Sequence, residues 1–157
     1  MKEVTGDLIT LAKSGEFDVI AHGCNCFCTM GAGIARQIAR EFPAAKDVDG
    51  RTAIGAKEKL GTVSYAEWRQ PAGFGSFSVV IANCYTQFRY GGDGDLVDYG
   101  AVERCMANLA SFHRGRRIGL PRIGAGLAGG DWTRIKAIIE ATLDPHCKVT
   151  IVNWDKA

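Results

Sequence analysis

Two glycine clusters, at 31–33 and 124–130, each stand between an apolar run and an amphipathic one, and this placement constrains the fold more than any other feature. Twenty of the 157 residues are glycine, against a usual share of roughly 7%, and a third cluster lies at 91–94. Glycine allows backbone to turn through conformations closed to other residues, or to approach a ligand closely. A junction that leaves a buried strand and opens a helix also presents unpaired N–H groups and the positive end of the helix dipole, which together attract anions. MGAGIA (30–35) opens one helix in this way and PRIGAGLAGGDW (121–132) opens another. For either loop alone a tight turn is the simpler account. Two loops in matching contexts point to a ligand with two adjacent phosphates.

The apolar periodicity supplies the frame around those loops. Val4 lies in a short first strand, residues 7–13 form a brief helix ended by Gly15, and residues 17–22 (FDVIAH) form a buried strand. Residues 33–42 are predicted as an amphipathic helix, with Ile34, Ala35, Ile38, Ala39 and Phe42 inward and Arg36, Gln37, Arg40 and Glu41 outward. Pro43 is expected to stop it. The stretch 44–60 is weakly helical and broken at Gly50 and Gly55, and strands at 62–68 and 77–86 are joined by the hairpin-like connector RQPAGFGS. Asp98 caps a helix with Val102, Cys105, Met106, Leu109 and Phe112 on its inner face. A short strand follows at 117–120. Asp131 then caps a last helix, with Trp132, Ile135, Ile138, Ile139 and Leu143 inside, and a strand at 149–152 closes the fold. With no repeat or linker, the expectation is one α/β domain over 1–157, a mixed sheet with helices on both faces.

Composition removes several function classes. A net charge of +2 is too small to imply nucleic-acid or membrane binding, and the basic run Arg114, Arg116, Arg117 reads as a solvated surface. No apolar stretch approaches the roughly 18 residues of a membrane span and no secretory leader is legible, so the expected setting is cytoplasmic. Six cysteines occur with no C-x-x-C pair. Cys24, Cys26 and Cys28 alternate on one loop, but free thiols in a reducing compartment are favoured over a metal site. Gly124, Gly126 and Gly129 spell G-x-G-x-x-G, yet a single strand follows them, too little for a dinucleotide-binding half-sheet. Gly50 and Gly55 have phosphate-loop spacing, but Ala56 stands where the lysine is required.

TGDLI at 5–9, HGCNCFCTMGAGIA at 22–35 and LPRIGAGLAGGDW at 120–132 together resemble the macrodomain family, in order and in spacing. The resemblance implies a three-layer α/β/α sandwich around a mixed sheet of about six strands, with ADP-ribose in a cleft at its crest and neither cofactor nor metal. It implies that Asp7 accepts a hydrogen bond from the adenine amino group and that Leu8 offers the neighbouring N–H; unaided, Asp7 reads as a helix cap. It assigns Gly31, Ala32, Gly33 and Ile34 to one diphosphate loop and Ile123, Gly124, Ala125, Gly126 and Leu127 to the other. Asn25 would touch the distal ribose, though by itself it reads as a turn former. Trp154 would cover the adenine or simply pack.

The segments HGCN and NCYTQ (83–87) are similar to the stand-alone branch that contains ADP-ribose-1''-phosphate phosphatases. The branch that cleaves ADP-ribose from glutamate or DNA uses a lysine and, in some members, an aspartate where Gln87 and Ala128 stand here. The resemblance therefore implies a metal-independent phosphatase acting on ADP-ribose 1''-phosphate. A lysine-free ADP-ribosyl or O-acetyl-ADP-ribose hydrolase, and a non-catalytic reader of ADP-ribosylated protein, remain alternatives. His22 is the candidate acid, base or nucleophile, because its ordinary pKa suits proton transfer near neutrality. Asn25 would position ribose or water. A histidine ending a buried strand is as often structural, and Asp98 reads more readily as a cap than as a cleft residue.

Overall fold

Runs with apolar residues on both faces, such as 17–22 and 78–85, fit strands covered from two sides. The computed structural model, which describes residues 1–71, 75–91 and 96–154, places them at the centre of one sheet. Residues 72–74 of the connector and most of the 91–94 glycine cluster lie outside the described residues. Along the chain run β1 (Lys2–Gly6), α1 (Leu8–Lys13), β2 (Val19–Cys24), α2 (Gly33–Glu41) and α3 (Pro43–Gly50). A 3-10 turn (Lys57–Lys59), β3 (Val63–Arg69) and β4 (Ser78–Tyr85) follow, then α4 (Tyr99–Phe112), β5 (Arg117–Leu120), α5 (Trp132–Thr142) and β6 (Lys148–Trp154). The sheet order is β1-β6-β5-β2-β4-β3. Only β3 runs antiparallel to its neighbour, so the sheet is mixed as expected.

Alternation along each strand divides the core in two. Val19 and Ala21 of β2, Ala82 and Cys84 of β4, and Ile118 and Leu120 of β5 pack against α4 and α5. Ile20, Val79 and Ile81 face the other way, onto α1, α2 and the start of α3. Helices therefore cover both faces, in three layers. Asp7, Asp98 and Asp131 each cap the following helix by accepting backbone N–H groups, as sequence reading expects.

Two local expectations are corrected. Pro43 does not merely end a helix; it is the first residue of α3, where its missing N–H has no intrahelical partner to lose. Phe112 is not in the core: it is 71% exposed at the last turn of α4, leaving Val102, Cys105, Met106 and Leu109 as the buried stripe.

Candidate functional site

The cleft follows from strand pairing. β2 pairs with β4 along its whole length, from Val19 to Cys24, but with β5 only through Val19 and Ile20. At their amino ends β2 and β5 are held together, because the Asp18 carboxylate accepts from the Arg117 backbone N–H at 2.9 Å and from its guanidinium at 2.9 and 3.2 Å. Beyond Ile20 the two strands part. The chain leaves β2 toward α2 on one face and leaves β5 toward α5 on the other, which opens a crevice at the carboxyl ends where ligands of parallel sheets bind. The resulting cleft is about 810 Å³, within the usual range for a small-molecule site.

Both glycine loops wall this cleft. Gly31, Ala32, Gly33 and Ile34 line one side, and Ile123, Gly124, Ala125, Gly126 and Leu127 line the other. Ala32 starts α2 without a side-chain cap, and no hydrogen bond among the described residues engages the N–H of Gly31, Ala32, Gly33 or Ile34. In the second loop the N–H groups of Gly124, Gly126 and Leu127 are equally open, whereas Ile123 and Ala125 donate to Pro121 and Arg122 within the loop. The two walls touch. Gly33 has φ of +58°, and a Cβ there would stand 3.1 Å from Leu127 Cδ1. Gly124, at φ +77°, is equally constrained, since a Cβ would come within 2.8 Å of Val97.

Leu8 reaches the cleft itself, beside Val152, Asn153 and Trp154 of β6. Asp7 lies in an adjoining recess of about 630 Å³ that it shares with Gly33, Arg36, Gln37, Arg40 and Trp154. Its Oδ1 accepts from the Ile9 and Thr10 N–H groups at 3.0 and 3.2 Å. Trp154 lines both hollows and joins them. Toward β4 the cleft is lined by Gly23, Asn25, Thr86 and Gln87. Asn25 is tied into its own turn, accepting from Phe27 N–H at 2.8 Å and donating to Thr29 Oγ1 at 2.6 Å.

His22 lies beneath the cleft and is not among the residues that line it. The side chain is fully buried, with Nε2 2.7 Å from Asn83 Oδ1. Asn83 Nδ2 in turn donates to the Ala45 carbonyl and to Ser64 Oγ, so its oxygen is the end turned to His22. Burial pushes the imidazole pKa down to about 4, with the Asn83 hydrogen bond and the Asp49 charge opposing in part. Asp98 also stays outside the lining; its carboxylate accepts from Ala101 N–H at 2.9 Å.

Three lining residues carry no signal in the sequence beyond their segments. Arg122 donates through Nε to Asn153 Oδ1 at 2.8 Å and lies over the Trp132 ring. Tyr90 is 58% exposed at the rim. Thr86 is wholly buried, and its hydroxyl has no hydrogen-bond partner among the described residues. It packs so close to Gly23 that a Cβ there would meet Thr86 Oγ1 at 2.7 Å. An unpaired buried hydroxyl is costly unless something pairs with it. Among the described lining residues neither a carboxylate nor an imidazole occurs. Among the described residues no cluster of three metal-ligating side chains forms, and no helix is long and apolar enough to cross a membrane.

No protein-family model matches the chain. It is 36% identical over 160 aligned residues, 99% of this chain and 97% of the relative, to an uncharacterised 17.5 kDa protein of Enterobacteria phage T4. It is 26% identical to an ADP-ribose 1''-phosphate phosphatase of Candida albicans, covering 95% of this chain and 97% of that one. Among solved structures, the macrodomain of Thermus aquaticus DarG superposes with a TM-score of 0.72 at 20% identity, over 99% of this chain and 97% of that one. A Trypanosoma brucei macrodomain, solved in complex with ADP-ribose, gives 0.67 at 16% identity, over 98% of this chain and 63% of that one.

Proposed function

The chain belongs to one family with the phage T4 protein and its fold is that of the macrodomains, and from that premise we propose that it binds ADP-ribose in the crest cleft and hydrolyses ADP-ribose 1''-phosphate to ADP-ribose and phosphate. The observation that carries the binding reading is the pair of loops that line one cleft and carry N–H groups with no acceptor among the described residues. A diphosphate laid between Gly31–Ile34 and Gly124–Leu127 would accept from both. The adenine then lies toward Leu8, Asp7 and Trp154, and the distal ribose toward Asn25 and Thr86. The likeness to the Candida phosphatase, over nearly the whole chain, supports the choice of substrate.

Phosphoryl transfer passes through a loose transition state whose charge lies mainly on the equatorial oxygens, so it asks more of positioning and electrostatics than of covalent chemistry. Loop amides aimed at those oxygens meet that demand. In this scheme His22 is a supporting residue: neutral, buried and bonded to Asn83, it holds the end of β2 from which Gly23, Cys24 and Asn25 enter the cleft. Gln87 and Ala128, at the positions of the glycohydrolase lysine and aspartate, carry no charge, and cleavage of glutamate-linked ADP-ribose is expected to be slow. The six free cysteines suit a cytoplasmic setting.

A second reading, binding of ADP-ribosylated protein without turnover, is favoured by the lack of a carboxylate or imidazole among the described lining residues. One incubation panel separates the readings: ADP-ribose 1''-phosphate, O-acetyl-ADP-ribose and mono-ADP-ribosylated protein, followed by phosphorus NMR and gel-based demodification. Phosphate release that persists in EDTA supports the phosphatase. Demodification without phosphate release replaces it with a hydrolase, and ADP-ribose binding with neither product leaves a reader.

A further inference from the structure

Away from the cleft, the 3-10 turn drives a lysine inward. Lys59 is only 7% exposed. Its Nζ donates to the Cys26 carbonyl at 3.1 Å and to Cys28 Sγ at 3.3 Å, and it lies 4.8 Å from the centre of the Tyr85 ring. Among the described residues no carboxylate pairs with it: the buried Asp49 carboxylate takes the Tyr85 hydroxyl at 2.7 Å instead. A buried cation without a counter-charge is costly, which makes the sulfur its most consequential neighbour. Cys28 is held in place from the other side, donating its thiol to the Asp49 carbonyl at 3.1 Å with Thr52 Oγ1 at 3.4 Å. Its φ of +58° is rare for a non-glycine residue, so this contact set is kept against local backbone preference.

We propose that Cys28 and Lys59 form an oxidation-dependent covalent link, in which one oxygen atom bridges Cys28 Sγ and Lys59 Nζ, with hydrogen peroxide as the oxidant. The thiol first becomes a sulfenic acid and the peroxide leaves as water. A second peroxide takes one hydrogen from the sulfenic hydroxyl and one from the amine as the O–N bond forms, and leaves as two waters. Four electrons thus pass from sulfur and nitrogen to two peroxides, and the proton of the ammonium goes to solvent. The 3.3 Å gap is wide for a direct S–N bond and is closed by an inserted oxygen with little movement. Cys28 is half-buried and so open to a small oxidant. Its neighbours Cys24 and Cys26 are buried, which pushes their thiols up and disfavours the reactive thiolate. The link would tie the β2–α2 loop to the 3-10 turn, three residues before the amides of Gly31–Ile34.

Peptide mapping by mass spectrometry under non-reducing conditions, after hydrogen peroxide treatment of the whole chain, tests the link. The expected product is a cross-linked pair of peptides carrying Cys28 and Lys59, heavier by one oxygen and lighter by two hydrogens, and released by dithiothreitol. It should persist in Cys26→Ala and vanish in Lys59→Gln and in Cys28→Ser, the latter keeping a hydroxyl among the same partners if Lys59→Gln fails to fold. A cross-link lacking the oxygen, a disulfide from Cys28, or a sulfinic acid at Cys28 with Lys59 free would each overturn the assignment.

Discussion

His22 Nε2 donates to Asn83 Oδ1 across 2.7 Å, joining β2 to β4 at a point where neither side chain is exposed. The imidazole therefore stays neutral in the folded chain down to about pH 4, whereas the unfolded chain takes up the proton near the ordinary 6.5. In that window the unfolded state binds more protons, so stability rises with pH. The His22 contribution, about 3 kcal/mol by linkage, is complete above pH 6.5 and is lost as pH falls through 4. His113, lowered by burial and Arg116, adds in the same direction. Urea unfolding between pH 7 and 4 should show the slope, and His22→Asn should flatten it even if its stability at pH 7 is lower. An unchanged slope in His22→Asn would assign the effect elsewhere.

The same burial keeps His22 out of the cleft lining. Phosphate release by a folded His22→Asn chain should keep the pH profile of the unaltered chain, with any rate loss following the loss of folded protein. A rate fall of about a hundredfold or more in fully folded variant, the size expected for losing an acid or base, would restore His22 as a chemical participant.

Asp7 serves α1 through Oδ1 and lines the Trp154 recess, so its cap can be tested apart from the proposed adenine contact. Asp7→Ser keeps a capping oxygen and should cost little stability, while Asp7→Ala should cost about 1 kcal/mol. Both should weaken ADP-ribose binding by about 1.5–3 kcal/mol if the carboxylate takes the adenine amino group. Calorimetry giving equal affinities for all three chains would leave Asp7 as a cap alone.

A Cβ at Gly126 meets nothing within 4 Å, whereas Gly33 combines a φ of +58° with the Leu127 contact. Gly126→Glu should fold normally yet lose ADP-ribose binding through charge beside the phosphates. Gly33→Ala should cost about 1–2 kcal/mol of stability. Thermal unfolding and calorimetry on both variants check this, and micromolar binding retained by Gly126→Glu would remove the second loop from the site.

Thr86→Val removes a buried hydroxyl that has no partner. The variant should match or exceed the unaltered chain in stability, by up to about 1–3 kcal/mol, and bind ADP-ribose 1''-phosphate more weakly. Stability that rises without any change in binding would show that the ligand does not use the hydroxyl.

Sequence reading reached the parts of the molecule written in short-range chemistry. The strand–glycine–helix junctions at 30–35 and 121–132, the aspartate caps and the buried stripe of α4 all depend on neighbours within a few residues. It could not tell which loop amides are open, because Ile123 and Ala125 donate to Pro121 and Arg122 through turn geometry alone. Nor could it tell which face His22 takes, since a strand buried on both sides has no polar face to orient it. Pro43 stops one helix and starts another by the same loss of an N–H, and only the path of the chain after it decides. The Lys59, Asp49 and Tyr85 cluster joins residues far apart in the chain, and the burial of the Thr86 hydroxyl without a partner depends on the fold around it.

Leu127 lies so close to Gly33 that the two loops walling the cleft come into contact with each other. A diphosphate held between Gly31–Ile34 and Gly124–Leu127, as proposed, would lie beside that leucine. The leucine is 74% exposed, so its own motion is expected to influence how fast such a ligand enters and leaves. Shortening Leu127 is then expected to speed binding and release together, changing the lifetime of the complex more than its affinity.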